Sequence, residues 1–132
     1  MLKHLLLTRD PIDHAALRAG RIATPTAGAV LEFLGIVRGS EDGAPITAID
    51  YEAFDAMAEH QFRKLFDELE RRWPRVESVR LVHRLGIVPV AEPSLWVEIS
   101  SPHRGEAFEA CQWLIDEMKR AVPIWKRSIS GA

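Results

Sequence analysis

Apolar positions return at two spacings along this chain, and the two spacings separate its helices from its strands. From Asp55 to Trp73, the residues Ala58, Phe62, Leu65, Phe66, Leu69 and Trp73 recur every three or four positions. That spacing predicts a helix with one buried stripe, capped by Asp55 and stopped before Pro74. A second helical stripe runs through Phe108, Cys111, Leu114, Ile115, Met118 and Val122. Ser101-Pro102 opens this helix as cap and first-turn proline, and Pro123 forces the chain out of it. "DPIDHAALRAGRI" predicts a shorter helix with Pro11 near its start. The other apolar runs are short and rich in β-branched and aromatic residues, which predicts strands. They are Leu2–Thr8, "AVLEFLGIVRG" ending at Arg38, "ITAIDYEAF", "VESVRLVHRLGIV", "SLWVEISS" and a short edge strand, "IWKRSI". "TPTAG" and "SEDGAP" are loops. Strands and helices do not alternate strictly, so the expected fold is a single α+β domain over residues 1–132 with a mixed or mainly antiparallel sheet.

Composition narrows the function classes. The chain has 132 residues, 27% charged, with a formal net charge of -2. This balance argues against a protein that coats nucleic acid or an anionic membrane. No apolar run approaches the ~18 residues of a membrane span, and the N-terminal apolar run meets Arg9 and Asp10 without a signal-peptide cleavage site. The expected location is the cytoplasm. The single cysteine, Cys111, excludes an intrachain disulfide and lies in the apolar stripe of the last helix, where a core role is expected. The histidines show no metal-ligand spacing, so no metal or cofactor is expected.

Positive charge is nevertheless clustered. "MKRAVPIWKRS" carries Lys119 and Arg120 before Pro123, and Lys126 and Arg127 after it. At ~100° per residue, Lys119 falls beside Ile115 at the edge of the apolar stripe, where its stem can pack and its amine emerge into a cleft. Arg120 points away, towards solvent. A turn at Pro123 could fold Lys126 back beside the helix end, although lysines near a helix C-terminus are also simply favoured by its dipole. A second cluster, "SSPHRGEAF", places His103 and Arg104 in the first turn of the last helix. Free backbone N–H groups there attract anions, and cations without an anion are disfavoured there. Arg38 closes a predicted strand, and His83-Arg84 falls within another, in a structural role. Trp113 lies on the polar face of the last helix and marks a possible contact with another chain.

Taken together and in this order, "LGIVRG", "YEAF" with Met57 shortly after, "VHRLG", "SSPHRGEAFEA" and "MKRAVPIWKRS" resemble the large, catalytic subunit of molybdopterin synthase. The resemblance covers nearly the whole chain. It implies an α/β hammerhead fold and a homodimer that binds a small ubiquitin-like sulfur carrier at each end, giving a heterotetramer. The carrier ends in Gly-Gly as a thiocarboxylate, and two sulfurs pass in turn to cyclic pyranopterin monophosphate to build the dithiolene of molybdopterin. The resemblance implies Lys119 and Lys126 as the catalytic residues. It implies substrate contacts from Ile36, Val37 and Arg38, from Lys126, Arg127 and Ser128, and from His103 and Arg104 across the dimer interface.

The residue chemistry suits that task. A phosphorylated substrate fits Arg38, His103 and Arg104, and a lysine ammonium can stabilise charge as sulfur leaves a carbonyl. The partner supplies the sulfur, so a reactive cysteine is not needed. From residue 103 to residue 119 the last helix spans roughly 24 Å at ~1.5 Å per residue. One small substrate therefore reaches both ends only if two copies of the helix lie antiparallel across a two-fold axis. Two departures stand against the pattern: Ser128 replaces a usual acidic residue, and family members usually continue to a further tryptophan-bearing segment. They leave open a second reading, a carrier-binding or scaffold protein on the same fold that does not turn over.

Overall fold

Residues 1–131 are described by a computed structural model. Eleven elements follow one another along them: β1 (Leu2–Thr8), α1 (His14–Ala19), β2 (Ala29–Ile36), β3 (Ser40–Glu41), β4 (Ala44–Ala53), α2 (Asp55–Arg72), β5 (Ser78–Arg84), β6 (Gly86–Pro89), β7 (Pro93–Ser101), α3 (Arg104–Ala121) and β8 (Ile124–Ser130). They build two sheets. The first has the order β1-β5-β7-β2, with β1 parallel to β5 and the other pairs antiparallel. In the second, β4 pairs with β3, β6 and β8, all antiparallel. The expected α+β class with a mixed sheet is what forms.

The helical stripes decide which sheet face is covered. Phe62, Phe66 and Leu69 of α2 and Ala107, Ala110 and Leu114 of α3 are buried against Val79 and Leu81 of β5 and Val97 and Ile99 of β7. The other face of the same sheet carries Val82 and Trp96, closed by Ile12 ahead of α1. Because both faces are covered, nearly all of β7 is buried, and its sequence shows no simple alternation. Glu98, fully buried on this second face, is held by Arg80 at 3.0 Å and Arg21 at 3.4 Å. A buried carboxylate is tolerable only with such partners. Arg80 also stacks 4.9 Å from the Trp96 ring centroid.

Several boundaries differ from the sequence expectation, each for a local reason. β2 ends at Ile36 instead of Arg38, because the register with β7 shifts between Gly35 and Ile36. "VHRLGIV" divides into β5 and β6, which belong to different sheets. The break is Gly86, whose φ of +82° is the left-handed conformation that glycine adopts freely. "SEDGAP" folds as a hairpin in which β3 pairs with the start of β4. Asp55 is the first residue of α2, not its cap; Phe54 occupies the cap position, and Asp55 instead adds negative charge to the first turn. Ser101 is the last residue of β7 and does not cap α3. Its hydroxyl donates to the His103 carbonyl, and His103 is the cap residue. Asp13, not Pro11, starts α1, accepting from the Ala16 amide.

The turn into α3 is fixed from outside. Gly28 lies so close to Pro102 that a Cβ would come within 2.4 Å of its carbonyl oxygen. The Gly28 amide donates to the Ser101 carbonyl at 3.0 Å. Trp113 is half-buried: its ring meets Trp73 edge-on at 5.7 Å, with the Arg72 guanidinium 5.1 Å away. Phe108, expected in the core stripe, is exposed. No helix among the described residues is long and apolar enough to cross a membrane.

Candidate active site

A cavity forms where α3 ends and the chain folds back. Val122 leaves the helix in an extended conformation, Pro123 cannot continue it, and β8 runs antiparallel along β4. This register sets Lys126 opposite Tyr51. Directly opposed residues of an antiparallel pair share one face, so Lys126 and Tyr51 form a wall together with Ile49. Ile115, Met118 and Lys119, from the last turns of α3, form another. The floor is the helix-side face of the first sheet, from Phe33 and Gly35 of β2 through Leu95 of β7 to His83 of β5. The cavity, open at its rim, has a volume of about 580 Å³, a size suited to a small-molecule site.

Lys119 and Lys126 thus line one cavity from two different elements. Arg38 stands at its rim, with Ile36 and Val37 beside it. Glu41 of the β3–β4 hairpin reaches in between the cations. Its carboxylate lies 3.3 and 3.4 Å from Lys126 Nζ and 3.8 Å from Arg38 Nη2. The Glu41 side chain is 17% exposed, against 54% for Lys126 and 81% for Arg38. The carboxylate is therefore the anchored member of the cluster, and the cations are the ones free to re-pair.

His83 is buried at the floor. Its Nδ1 donates to the Arg84 carbonyl at 2.8 Å, and its ring meets Tyr51 edge-on at 5.2 Å. Burial pushes its pKa below the ordinary value, with the Arg84 bond opposing, so the imidazole is neutral at physiological pH. Burial drives the Cys111 thiol the other way, up to about 11. That excludes an activated thiolate at that position.

The remaining expected site residues lie outside this cavity within one chain. Arg127 turns to the other face of β8 and pairs with Asp50 at 3.3 Å, and Ser128 sits opposite Ile49 without lining the cavity. His103 and Arg104 are exposed at the start of α3, about 22 Å of helix from Lys119 at ~1.5 Å per residue. Arg120 pairs with Glu117 in solvent, as its helical angle predicts. Glu41, Tyr51 and His83 were not singled out as site residues. No local spacing marks them: Glu41 is placed by the β3–β4 hairpin, and the other two reach the cavity through long-range strand pairing.

Two lysines and an arginine around one small cavity define a class: an α+β domain with a cationic pocket, the charge and size that suit an anionic small molecule. Comparison with known proteins makes the class particular. A family model described as "MoaE protein" matches residues 7–121, and the chain belongs to that family. The molybdopterin synthase catalytic subunit of Culex quinquefasciatus is 41% identical over 124 residues, covering 94% of this chain and 78% of that protein. The crystal structure of molybdopterin synthase from Staphylococcus aureus has a TM-score of 0.86 at 33% identity, covering 95% of this chain and 90% of that one. A complex of subunits 1 and 2 of molybdopterin-converting factor from Helicobacter pylori shares the fold, with a TM-score of 0.72 at 22% identity over 99% of this chain and 90% of that one.

Proposed function

We propose that the chain, as one domain over residues 1–132, is the catalytic subunit of a molybdopterin synthase. It moves sulfur from the C-terminal thiocarboxylate of a small Gly-Gly carrier subunit to cyclic pyranopterin monophosphate. The observation that carries this reading is the convergence of Lys119 and Lys126 on one cavity. The family relationship supports the reaction, and the two-subunit assembly of the Helicobacter relative supports the carrier partner.

In this reading the ammonium groups of Lys119 and Lys126 stabilise negative charge on the thiocarboxylate carbonyl as its sulfur bonds to substrate carbon. Arg38, with Ile36 and Val37 beside it, holds the anionic substrate at the rim, exchanging its longer contact with Glu41 for the substrate and leaving Glu41 paired with Lys126. His103 and Arg104 of a second copy complete the substrate site, which makes the functional unit a homodimer and, with two carriers, a heterotetramer. Arg127, paired with Asp50 on the other face of β8, and Ser128 stand outside the substrate site in this reading. The reaction takes place in the cytoplasm, which accords with a chain whose one cysteine is a buried free thiol.

The test is reconstitution: the protein, a thiocarboxylated carrier and the pterin precursor should yield dithiolene product. Carrier binding without product, under conditions where a Lys119→Ala variant behaves identically to the parent, would favour the scaffold reading.

A further inference from the structure

Sulfur that starts on an acyl carbon and ends on a substrate carbon passes through an acyl–S–C linkage. If the reading above holds, the cavity must therefore also break a thioester between carrier and substrate. Water adds to the acyl carbon, the C–S bond breaks with its electron pair going to sulfur, and sulfur stays on the pterin. The carrier leaves as an ordinary carboxylate. Overall, R–CO–S–R′ plus H₂O gives R–COO⁻, R′–S⁻ and two protons. One proton leaves the attacking water and needs an acceptor at the reaction site; the other is lost as the new carboxylic acid ionises. General bases of this kind work with a lone pair free at neutral pH.

The lysines and arginine of the cavity act as donors. The Glu41 carboxylate is engaged by Lys126 and Arg38. Among the described lining residues there is one imidazole, His83. A carbonyl oxygen can only accept, so the 2.8 Å contact with Arg84 assigns the hydrogen to Nδ1. Nε2 is then the acceptor. The ring is held in place by this bond and by the Tyr51 edge contact. The charged and titratable groups around it are Tyr51 and Lys126 from the second sheet, Lys119 from α3, Arg38 and Glu41 at the rim, and Arg84 beside it in β5. The lysines and Arg38 bring positive charge to the same cavity, which favours the unprotonated imidazole and attracts the forming oxyanion.

We propose that His83 Nε2 accepts the proton of the water that hydrolyses the carrier–substrate thioester, a step separate from the lysine-assisted formation of that thioester. His83 is thereby a second catalytic centre within the cavity.

His83→Asn tests this, because asparagine can still donate to the Arg84 carbonyl but has no atom at the Nε2 position. A single-turnover mixture with thiocarboxylated carrier and precursor is quenched and read by intact-protein mass spectrometry. The expected result is a carrier–pterin adduct that accumulates while product release falls roughly 100-fold. Product at the parent rate without adduct overturns the proposal. So does a parallel loss of adduct and product in a variant whose melting temperature is unchanged, since His83 would then act before the thioester. If His83→Asn does not fold, His83→Gln is read by the same two outcomes. Failure of the proposed function is distinguishable: the parent protein would then make neither adduct nor product.

Discussion

The two ends of α3 carry the same kinds of side chain and have opposite fates. At its C-terminal end, Lys119 enters a concave cavity beside Ile115 and Met118, because β8 folds back along β4 and brings Lys126 to the same space. At its N-terminal end, His103 and Arg104 stand exposed, and no side chain caps the helix. The difference is not in the residues. It lies in whether a second element closes over them. A cation at a helix end becomes a site residue when another strand supplies the opposite wall, and the start of α3 gets no such wall from its own chain. A second copy of the helix is the natural source of one.

Breaking the closed end should cost the most. Lys119→Ala and Lys126→Ala should each lower product formation by roughly 100-fold or more, the scale of losing an electrostatic stabiliser. Melting should barely change, because Lys126 is half exposed and its pair with Glu41 is of a kind worth about 0 to 1 kcal/mol. Steady-state kinetics alongside thermal melts would show this; turnover near the parent value in both variants would remove the lysines from the mechanism.

Breaking the open end should act differently. Arg104→Ala should raise the KM for the phosphorylated precursor by roughly 10-fold or more, as loss of a charge-assisted contact of about 1.5 to 3 kcal/mol implies. The effect on folding should be negligible, since Arg104 is exposed. Titration of the precursor against parent and variant measures this. Equal affinity would place the phosphate elsewhere.

Glu41→Gln sharpens the contrast from the other side. It removes the internal anion that Lys126 and Arg38 hold at the closed end. Precursor should then bind a few-fold more tightly, by under about 1 kcal/mol, in isothermal titration. Weaker binding would mean that Glu41 positions the cations and does not compete for them.

The smallest effect expected is in pH dependence. The unfolded chain protonates His83 near its ordinary pKa of about 6.5, while the buried ring resists protonation. The unfolded state therefore binds more protons below that value, so stability present above pH ~6.5 should fall as pH drops towards the depressed folded value. Denaturant melts across this range should show the slope in the parent and less of it in His83→Gln. No difference between them would mean that the ring is solvated in the folded chain.

How legible each part was in sequence follows from how local its cause is. Lys119 could be placed from helical spacing alone, because its position depends on Ile115 four residues back. Lys126 could not, since its neighbour Tyr51 is set by a strand pairing far along the chain. The resemblance to a family supplied it. Glu41 is hidden in the sequence for the same reason: "SEDGAP" reads as a polar loop, and only the hairpin with β4 brings its carboxylate to the cavity. His83 reads as structural in the sequence, and it does bond the Arg84 carbonyl, but its place on the cavity floor depends on β5 lying beside β7. The helical stripe of α2 was readable almost residue by residue. The end of β2 was not, because the register shift at Gly35/Ile36 depends on how β7 lies alongside.

The most direct measurement of the central claim, that the open end of one α3 completes the closed end of another, is complementation. Arg104→Ala and Lys119→Ala proteins, each strongly impaired when the precursor is held well below the parent KM, are mixed under conditions that exchange subunits. Random exchange makes half of the dimers mixed, each with one site intact, so activity should recover to about a quarter of the parent level. No recovery, with exchange proven by mass-labelled subunits, would place the whole site within a single chain.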